Sequence, residues 1–275
     1  MTTPPQLVQM SDAHIVLPGQ LLSGGVDTAG LLRCAVASVD RLLPEATAVL
    51  LSGDLVDAGS DAEYRHLRRL LEPLRCPVYL MPGNHDAVPV LREVFPDHAY
   101  LQPMRDDPAL APHVLYAVDL GGLRLVALDT VVAGRSHGTL CAARLAWLDA
   151  TLAAAPEVPT LVAMHHPPFD TGIVHMDAIG LREGREGLGQ VLRRHPQVER
   201  VICGHLHRTI VRRFGGTVAM TVPSTAHQIF LDLRPDGIPG FVHEPPGYAV
   251  HTLREGAVVS HLAASGDHGP PTRFY

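Results

Sequence analysis

The stretch Val78–Asp86, VYLMPGNHD, decides the fold. Four apolar residues, Val78–Met81, run directly into Pro82-Gly83-Asn84-His85-Asp86. An apolar run this short, closed by Pro and Gly, reads as a buried strand that ends in a turn. The polar side chains then stand just beyond the strand's carboxyl end. The same design recurs along the chain. Leu7–Met10 runs into Ser11-Asp12-Ala13-His14, and Ala48–Leu51 into Ser52-Gly53-Asp54. Leu161–Met164 runs into His165-His166-Pro167-Pro168, and Val201–Cys203 into Gly204-His205-Leu206-His207.

Helical patterns lie between these runs. Thr28–Leu43 has Leu31, Leu32, Ala35, Val39, Leu42 and Leu43 at helical spacing, with Asp27 as cap and Pro44 as stop. Ala62–Leu74 follows the same plan, with Asp61 as cap, and Ala142–Ala155 carries Leu145, Leu148 and Leu152. Gly121-Gly122 and Gly215-Gly216 each join two strand-like runs, which predicts two hairpins and therefore mixed sheets. The parts fit an α/β fold: a four-layer αββα sandwich with helices outside two packed mixed sheets. The catalytic domain is expected over 1–225. A core of that size is complete without the rest, so 226–275 reads as a C-terminal cap or dimerisation segment. Within that segment Tyr248–Leu253 and Ala257–Leu262 form a final strand pair, and a tail follows.

Composition narrows the chemistry. The chain has 275 residues, 46% of them hydrophobic, and a net charge of −6. The 22 basic residues are all Arg. Without Lys there is no Schiff base and no phosphate-loop lysine. Without a basic excess, no nucleic-acid polymer is expected as a partner. Cys34, Cys76, Cys141 and Cys203 form no CxxC pair. Cys34, Cys141 and Cys203 lie in apolar runs and read as buried free thiols. No signal peptide or membrane-length apolar run is visible, so a cytoplasmic, soluble protein is expected.

The chain holds 17 His. Asp12, His14, Asp54, Asn84, His165, His205 and His207 all fall at the carboxyl ends of expected strands, where an α/β sheet binds its ligands. Seven such donors on one rim exceed the needs of an acid–base pair and suit two metal ions that share a ligand. Mixed carboxylate, imidazole and amide donors suit Fe, Mn, Zn or Co, divalent or trivalent. Two such ions clamp an in-line displacement at phosphorus. The Gly before Asp54, Asn84 and His205 allows a sharp turn. His66, His98, His113, His195, His243, His251, His261 and His268 read as surface or loop histidines.

The series D-x-H, G-D, G-N-H-D, H-H-P-P, G-H-x-H resembles the calcineurin-like metallophosphoesterase superfamily. Within it the chain is similar to the class III cyclic nucleotide phosphodiesterases and the related bacterial glycerophosphodiesterases, from about Leu7 to about Gln228. The resemblance implies one ion on Asp12, His14, Asp54 and His207. It implies a second on Asp54, Asn84, His165 and His205, with Asp54 shared. His166 is left to support or packing. His85, beside Asn84, matches the family histidine that contacts the substrate phosphate and serves with Asp54 in catalysis. Asp86 either orients His85 or caps the next helix, the cap being preferred. His227 is either a substrate-side histidine, alongside Asn84 and His85, or a dimer contact.

The implied activity is hydrolysis of small phosphodiesters such as cyclic nucleotides (cAMP among them) or glycerophosphodiesters, in a homodimer or higher oligomer. Two departures stand out. The glycerophosphodiesterases carry bulky aromatics where this chain has Ser23-Gly24-Gly25, and an amide where it has Asp57. A wider and more acidic pocket follows. The rival readings are a phosphomonoesterase or protein phosphatase on the same metal core, and a metal-binding scaffold without catalysis.

Overall fold

The computed structural model describes residues 4–42 and 44–274. The chain begins β1 (Gln6–Met10), α1 (Thr28–Val39), β2 (Ala48–Ser52), α2 (Asp61–Leu71), β3 (Val78–Met81) and α3 (Val88–Val94). It continues β4 (Leu115–Asp119), β5 (Arg124–Leu128), β6 (Gly138–Thr139), α4 (Ala142–Ala153), β7 (Thr160–Met164), α5 (Val174–Asp177), β8 (Leu181–Glu183), α6 (Arg185–Arg194) and β9 (Val198–Cys203). It closes with β10 (Val211–Phe214), β11 (Thr217–Thr221), β12 (Gln228–Ile229), β13 (Phe241–Val242), β14 (Gly247–Arg254) and β15 (Ala257–Ala264).

Two large mixed sheets result, ordered β15-β14-β1-β2-β3 and β10-β11-β9-β7-β5-β4. Alternation along the second sheet shows how they stack. Leu125, Ala127, Leu161, Ala163 and Ile202 belong to the core shared with β1, β2, α1 and α2. Their neighbours Val126, Leu128, Val162, Met164 and Val201 point the other way, into a second core with Leu148 and Leu152 of α4 and Leu188 and Leu192 of α6. Side chains that alternate between two dry faces require a layer on each side. The order helix, sheet, sheet, helix is the expected αββα sandwich. A buried polar chain also crosses between the sheets: Gln9 Nε2 donates to Ser52 Oγ at 2.9 Å and to the Cys203 carbonyl at 3.2 Å.

Asp27 caps α1 as expected, accepting from the Gly30 amide. The helix ends at Val39, before the expected Leu43, because Arg41 and Leu42 turn back onto Ser38 and Val39 in tighter i→i−3 bonds; Leu43 lies outside the described residues. The α2 cap is Ser60, not Asp61: Ser60 and Glu63 close a capping box, while Asp61 binds Arg65 one turn on. Both Gly-Gly hairpins form. Helix α3 is the helix expected after Asp86, whereas no sequence pattern announces α6.

The C-terminal expectation needs correction. β14 pairs along its length with β1, and Tyr248, Ala249, Val250 and Val258 belong to the main core. Residues 247–264 therefore complete the first sheet, and the core is not finished at residue 225. Residues 228–242 lie outside both large sheets. Two further expectations fail on burial. Cys34 and Cys141 are exposed, on the outer side of α1 and at the start of α4; only Cys203 is buried. His66, His195 and His251 are buried, each with a polar partner: the Val16 carbonyl, Asp149, and Gln9 with Ser260, respectively.

Candidate metal centre

The strand ends deliver their polar residues to one rim. Asp12 and His14 follow β1 and are tied to the end of β2, since the Asp12 amide donates to the Gly53 carbonyl and the His14 amide to that of Asp54. Asp12, His14, Asp54 and His207 each offer a ligand atom, all within 4.8 Å of one another. His165 Nε2 lies 3.3 Å from Asp54 Oδ2 and 3.2 Å from Asn84 Oδ1. All seven expected donors meet, with Asp54 between the two groups. His205 comes close to His165, with ring centroids 5.2 Å apart.

The backbone is bent to achieve this. Asp12, His14, Asp54, His205 and His207 hold positive φ, five of the seven non-glycine residues that do so among the described residues. Such conformations cost roughly 1–3 kcal/mol each and collect where function over-determines them. The glycines act mainly through close approach. A Cβ on Gly83 would meet the Asp54 amide and lie 2.8 Å from His165 Cε1. One on Gly204 would meet Ser11 Oγ and lie 2.9 Å from Asp12 Oδ2.

The donor set fits metal ions. His14 Nδ1 donates to Asp57 Oδ1 at 3.2 Å, His165 Nδ1 to the Ser52 carbonyl at 2.9 Å, and His207 Nδ1 to the His227 carbonyl at 3.0 Å. Fixing the proton on Nδ1 leaves the Nε2 lone pair as the ligand atom. His205 Nε2 is buried without any hydrogen-bond partner. Burial, with neighbouring histidines adding to it, lowers His205 and His207 to about 3, so both rings are neutral. Burial opposes charge on His165 too, but Asp54 and Asp12 outweigh it and raise His165 to about 9. The carboxylates thus draw positive charge to the rim, a demand that bound cations meet.

His166 takes no part. It receives Thr130 Oγ1 at Nδ1, 2.8 Å away, and donates from Nε2 to the Ser136 carbonyl at 3.2 Å, so no lone pair is free. Asp86 is not a helix cap: α3 begins at Val88, its N-cap residue is Ala87, and no side chain caps it. Asp86 instead accepts from the Leu55 and Gly83 amides and from the Tyr64 hydroxyl, holding the Gly83–Asp86 turn against β2 and α2.

A cavity of about 240 Å³ opens over the rim. His85 lines it, and its Nδ1 donates to the Asp57 carbonyl at 2.7 Å. His227 lines it as well, its ring 4.6 Å from that of His207. Ser23 and Asp57, the two departures noted in the sequence, also reach it. Leu22, Met176, Ile179, Ile229 and Phe241 supply an apolar wall. Ile229 and Phe241 belong to the segment that the sequence marks as a cap, whereas nothing local marks Leu22, Met176 and Ile179 as neighbours of the rim.

Two packed mixed sheets with carboxylates and imidazoles converging at their carboxyl ends define a hydrolase built around a binuclear divalent metal centre. The model of the calcineurin-like phosphoesterase family matches residues 6–209, and the chain belongs to that family. It is 33% identical over 270 residues to a "Probable glycerophosphodiester phosphodiesterase GpdQ" of Arcobacter nitrofigilis, covering 98% of this chain and 96% of the relative. It is 35% identical over 270 residues to a probable cyclic nucleotide phosphodiesterase of Rhodopseudomonas palustris, covering 96% and 94%. These matches place it in the branch that the motifs resemble. The crystal structure of a dimetal phosphatase from Danio rerio superposes with a TM-score of 0.69 at 18% identity, over 95% of this chain and 97% of that one. That likeness shows the fold. No helix among the described residues is long and apolar enough to cross a membrane.

Proposed function

We propose that this protein is a phosphodiesterase that hydrolyses small phosphodiesters, cyclic nucleotides or glycerophosphodiesters. The observation that carries it is the rim itself: seven donors in two groups joined by Asp54, with histidine protons parked on Nδ1. Asp12, His14, Asp54 and His207 would hold one ion, and Asp54, Asn84, His165 and His205 the other. Fe, Mn, Zn and Co all suit these donors. The ions, when bound, supply Lewis acidity for the phosphoryl oxygens and for the attacking water.

The chain's own groups do the rest. Asp54 stays ionised: burial pushes it up, but His165, His14 and His85 outweigh this and hold it well below the carboxylate range. His85 keeps Nε2 as its free ring nitrogen, available to steady charge on the phosphoryl group or to protonate the leaving oxygen. His227 shields the His207 side of the cavity, with its Nδ1 buried and unpartnered. Relatives named for glycerophosphodiesters and for cyclic nucleotides support the diester reading over a phosphomonoesterase or a protein phosphatase. The complete donor set and His85 support catalysis over a scaffold role.

The segment 228–242 covers part of the cavity and, in this reading, forms a homodimer contact. The exposed free thiols Cys34 and Cys141 suit a reducing, cytoplasmic compartment. The test is to strip the metals with a chelator, reload with Mn or Co, and compare rates on bis-p-nitrophenyl phosphate, p-nitrophenyl phosphate, cyclic AMP and glycerophosphoethanolamine. Diesters must be cleaved faster than the monoester, and only in the reloaded protein. Full activity after thorough demetallation ends the proposal.

A further inference from the structure

We propose that Phe241 makes this site selective for phosphodiesters that carry a planar aromatic ring, a nucleobase in the natural case, over diesters of small polyols. This rests on the phosphodiesterase reading above and narrows its substrate class.

The argument begins with strand register. β12 and β13 form a short antiparallel ribbon in which Gln228 opposes Val242 and Ile229 opposes Phe241. Directly opposed residues stand on one face. Ile229 and Phe241 both line the cavity, while Gln228 is buried away from it and donates to the Ser224 carbonyl. One apolar pair is therefore turned toward the metal rim.

Phe241 meets His227 edge to face, centroids 4.8 Å apart, and His227 in turn contacts His207. Phe241 nevertheless remains 40% exposed. His243 also approaches it edge-on, centroids 5.8 Å apart, and the part of the ring that stays open is a stacking surface beside the rim. Among the described residues Phe241 is the only Phe, Tyr or Trp that lines this cavity.

The ribbon is held in place by consecutive rim residues. His207 Nδ1 donates to the His227 carbonyl, just before β12. Arg208 Nη1 donates to the Ile229 carbonyl and pairs with Glu244 Oε2 at 2.8 Å, just after β13. Phe241 is thus pre-positioned, and little ordering is lost when a ring stacks on it.

The rest of the wall favours the same ligand. Leu22, Met176, Ile179 and Ile229 offer dispersion contact only, and beyond the seven rim donors the polar lining is Ser23, Asp57, His85 and His227. A glycerol group set against this apolar wall would leave hydroxyls unpaired there, which costs binding. A base has a π-face for Phe241, and removing a stacking side chain weakens binding by about 5- to 150-fold.

The experiment compares wild type with Phe241→Ala, Phe241→Leu and Phe241→Tyr, each checked for two metals per chain. For cyclic AMP, KM should rise about tenfold in the Ala and Leu variants with kcat little changed, and Tyr should restore it. For glycerophosphoethanolamine, the kinetics should stay within about twofold of wild type in all three variants. Equal effects on both substrates, or no effect on cyclic AMP, overturn the proposal. If loaded wild type cleaves neither diester, the phosphodiesterase reading fails, and Phe241 is judged by binding alone. AMP must then bind Phe241→Ala at least about fivefold more weakly than wild type, with inorganic phosphate unaffected; equal AMP affinities overturn it.

Discussion

His14 Nε2 and His207 Nε2 face each other 3.2 Å apart, and each ring has its Nδ1 proton engaged elsewhere, on Asp57 and on the His227 carbonyl. Two lone pairs at that distance repel unless a cation lies near both. Asp54 Oδ2 stands 3.6 Å from His14 Nε2 and 3.3 Å from His165 Nε2, so this carboxylate touches both halves of the rim. Asp54→Ala should therefore strip both ions, and Asn84→Ala mainly the second. Elemental analysis of the purified variants checks this. An Asp54→Ala protein that retains two ions would sink the shared-ligand assignment.

His85→Ala should keep both ions and lose turnover by about 10²–10³. The link between this residue and the centre is its backbone amide, which donates to Asp54 Oδ1 at 2.9 Å and survives the substitution. Only the ring is lost from the cavity wall. Metal content together with kcat decides the matter, and an emptied second site would contradict the assignment.

The junctions were legible because both faces of these strands are dry. Leu7–Met10 and Leu161–Met164 read as unbroken apolar runs, and a run must stop where the rim begins. Asp27 announced its helix for a local reason, a side chain three residues from its amide partner. What stayed hidden depends on distant partners. Asp86 looked like a cap because its true partners, Leu55 and Tyr64, are 31 and 22 residues away. The place of β14 beside β1 follows from pairings such as Leu7 with His251 across most of the chain. His251 reads as a surface or loop histidine because no local pattern reveals that its partners are Gln9 and Ser260.

Gly204→Ala should damage the centre without removing a donor. The new methyl would fall on Ser11 Oγ and lie 2.9 Å from Asp12 Oδ2, and these neighbours have little room to move. Overpacking of this kind costs about 1–3 kcal/mol. A lower melting temperature and reduced metal content at the Asp12 side are expected. Wild-type metal affinity in this variant would show that the approach is looser than described.

His251 predicts an acid-sensitive stability unrelated to the metals. Burial first, then Arg200, lowers it from an ordinary 6.5 to about 3. Between those values the unfolded chain takes up a proton that the folded chain refuses, so its share of stability is complete above about pH 6.5 and falls as pH drops toward 3. The slope from this one group approaches about 1.4 kcal/mol per pH unit. His251→Gln keeps an amide for Gln9 and Ser260 but cannot titrate. Urea unfolding from pH 7 to pH 4 should show a shallower loss in the variant; parallel curves would refute the assignment.

The ribbon loop between β12 and β13 makes a prediction about assembly. Leu231, Leu233 and Ile238 are 51%, 61% and 61% exposed and lie on the one loop that joins β12 to β13. Large side chains gathered on one loop favour a protein contact over solvent. Truncation before Gln228 cannot test this, because it also deletes β14 and β15, which complete the first sheet. Single charges can. Leu233→Asp and Ile238→Asp remove no core contact, so both variants should melt within a few degrees of wild type, consistent with the small cost of surface changes. If the loop joins two copies, wild type should sediment as a dimer at micromolar concentration and both variants as monomers. A monomeric wild type ends the proposal, and dimeric variants move the contact to another face.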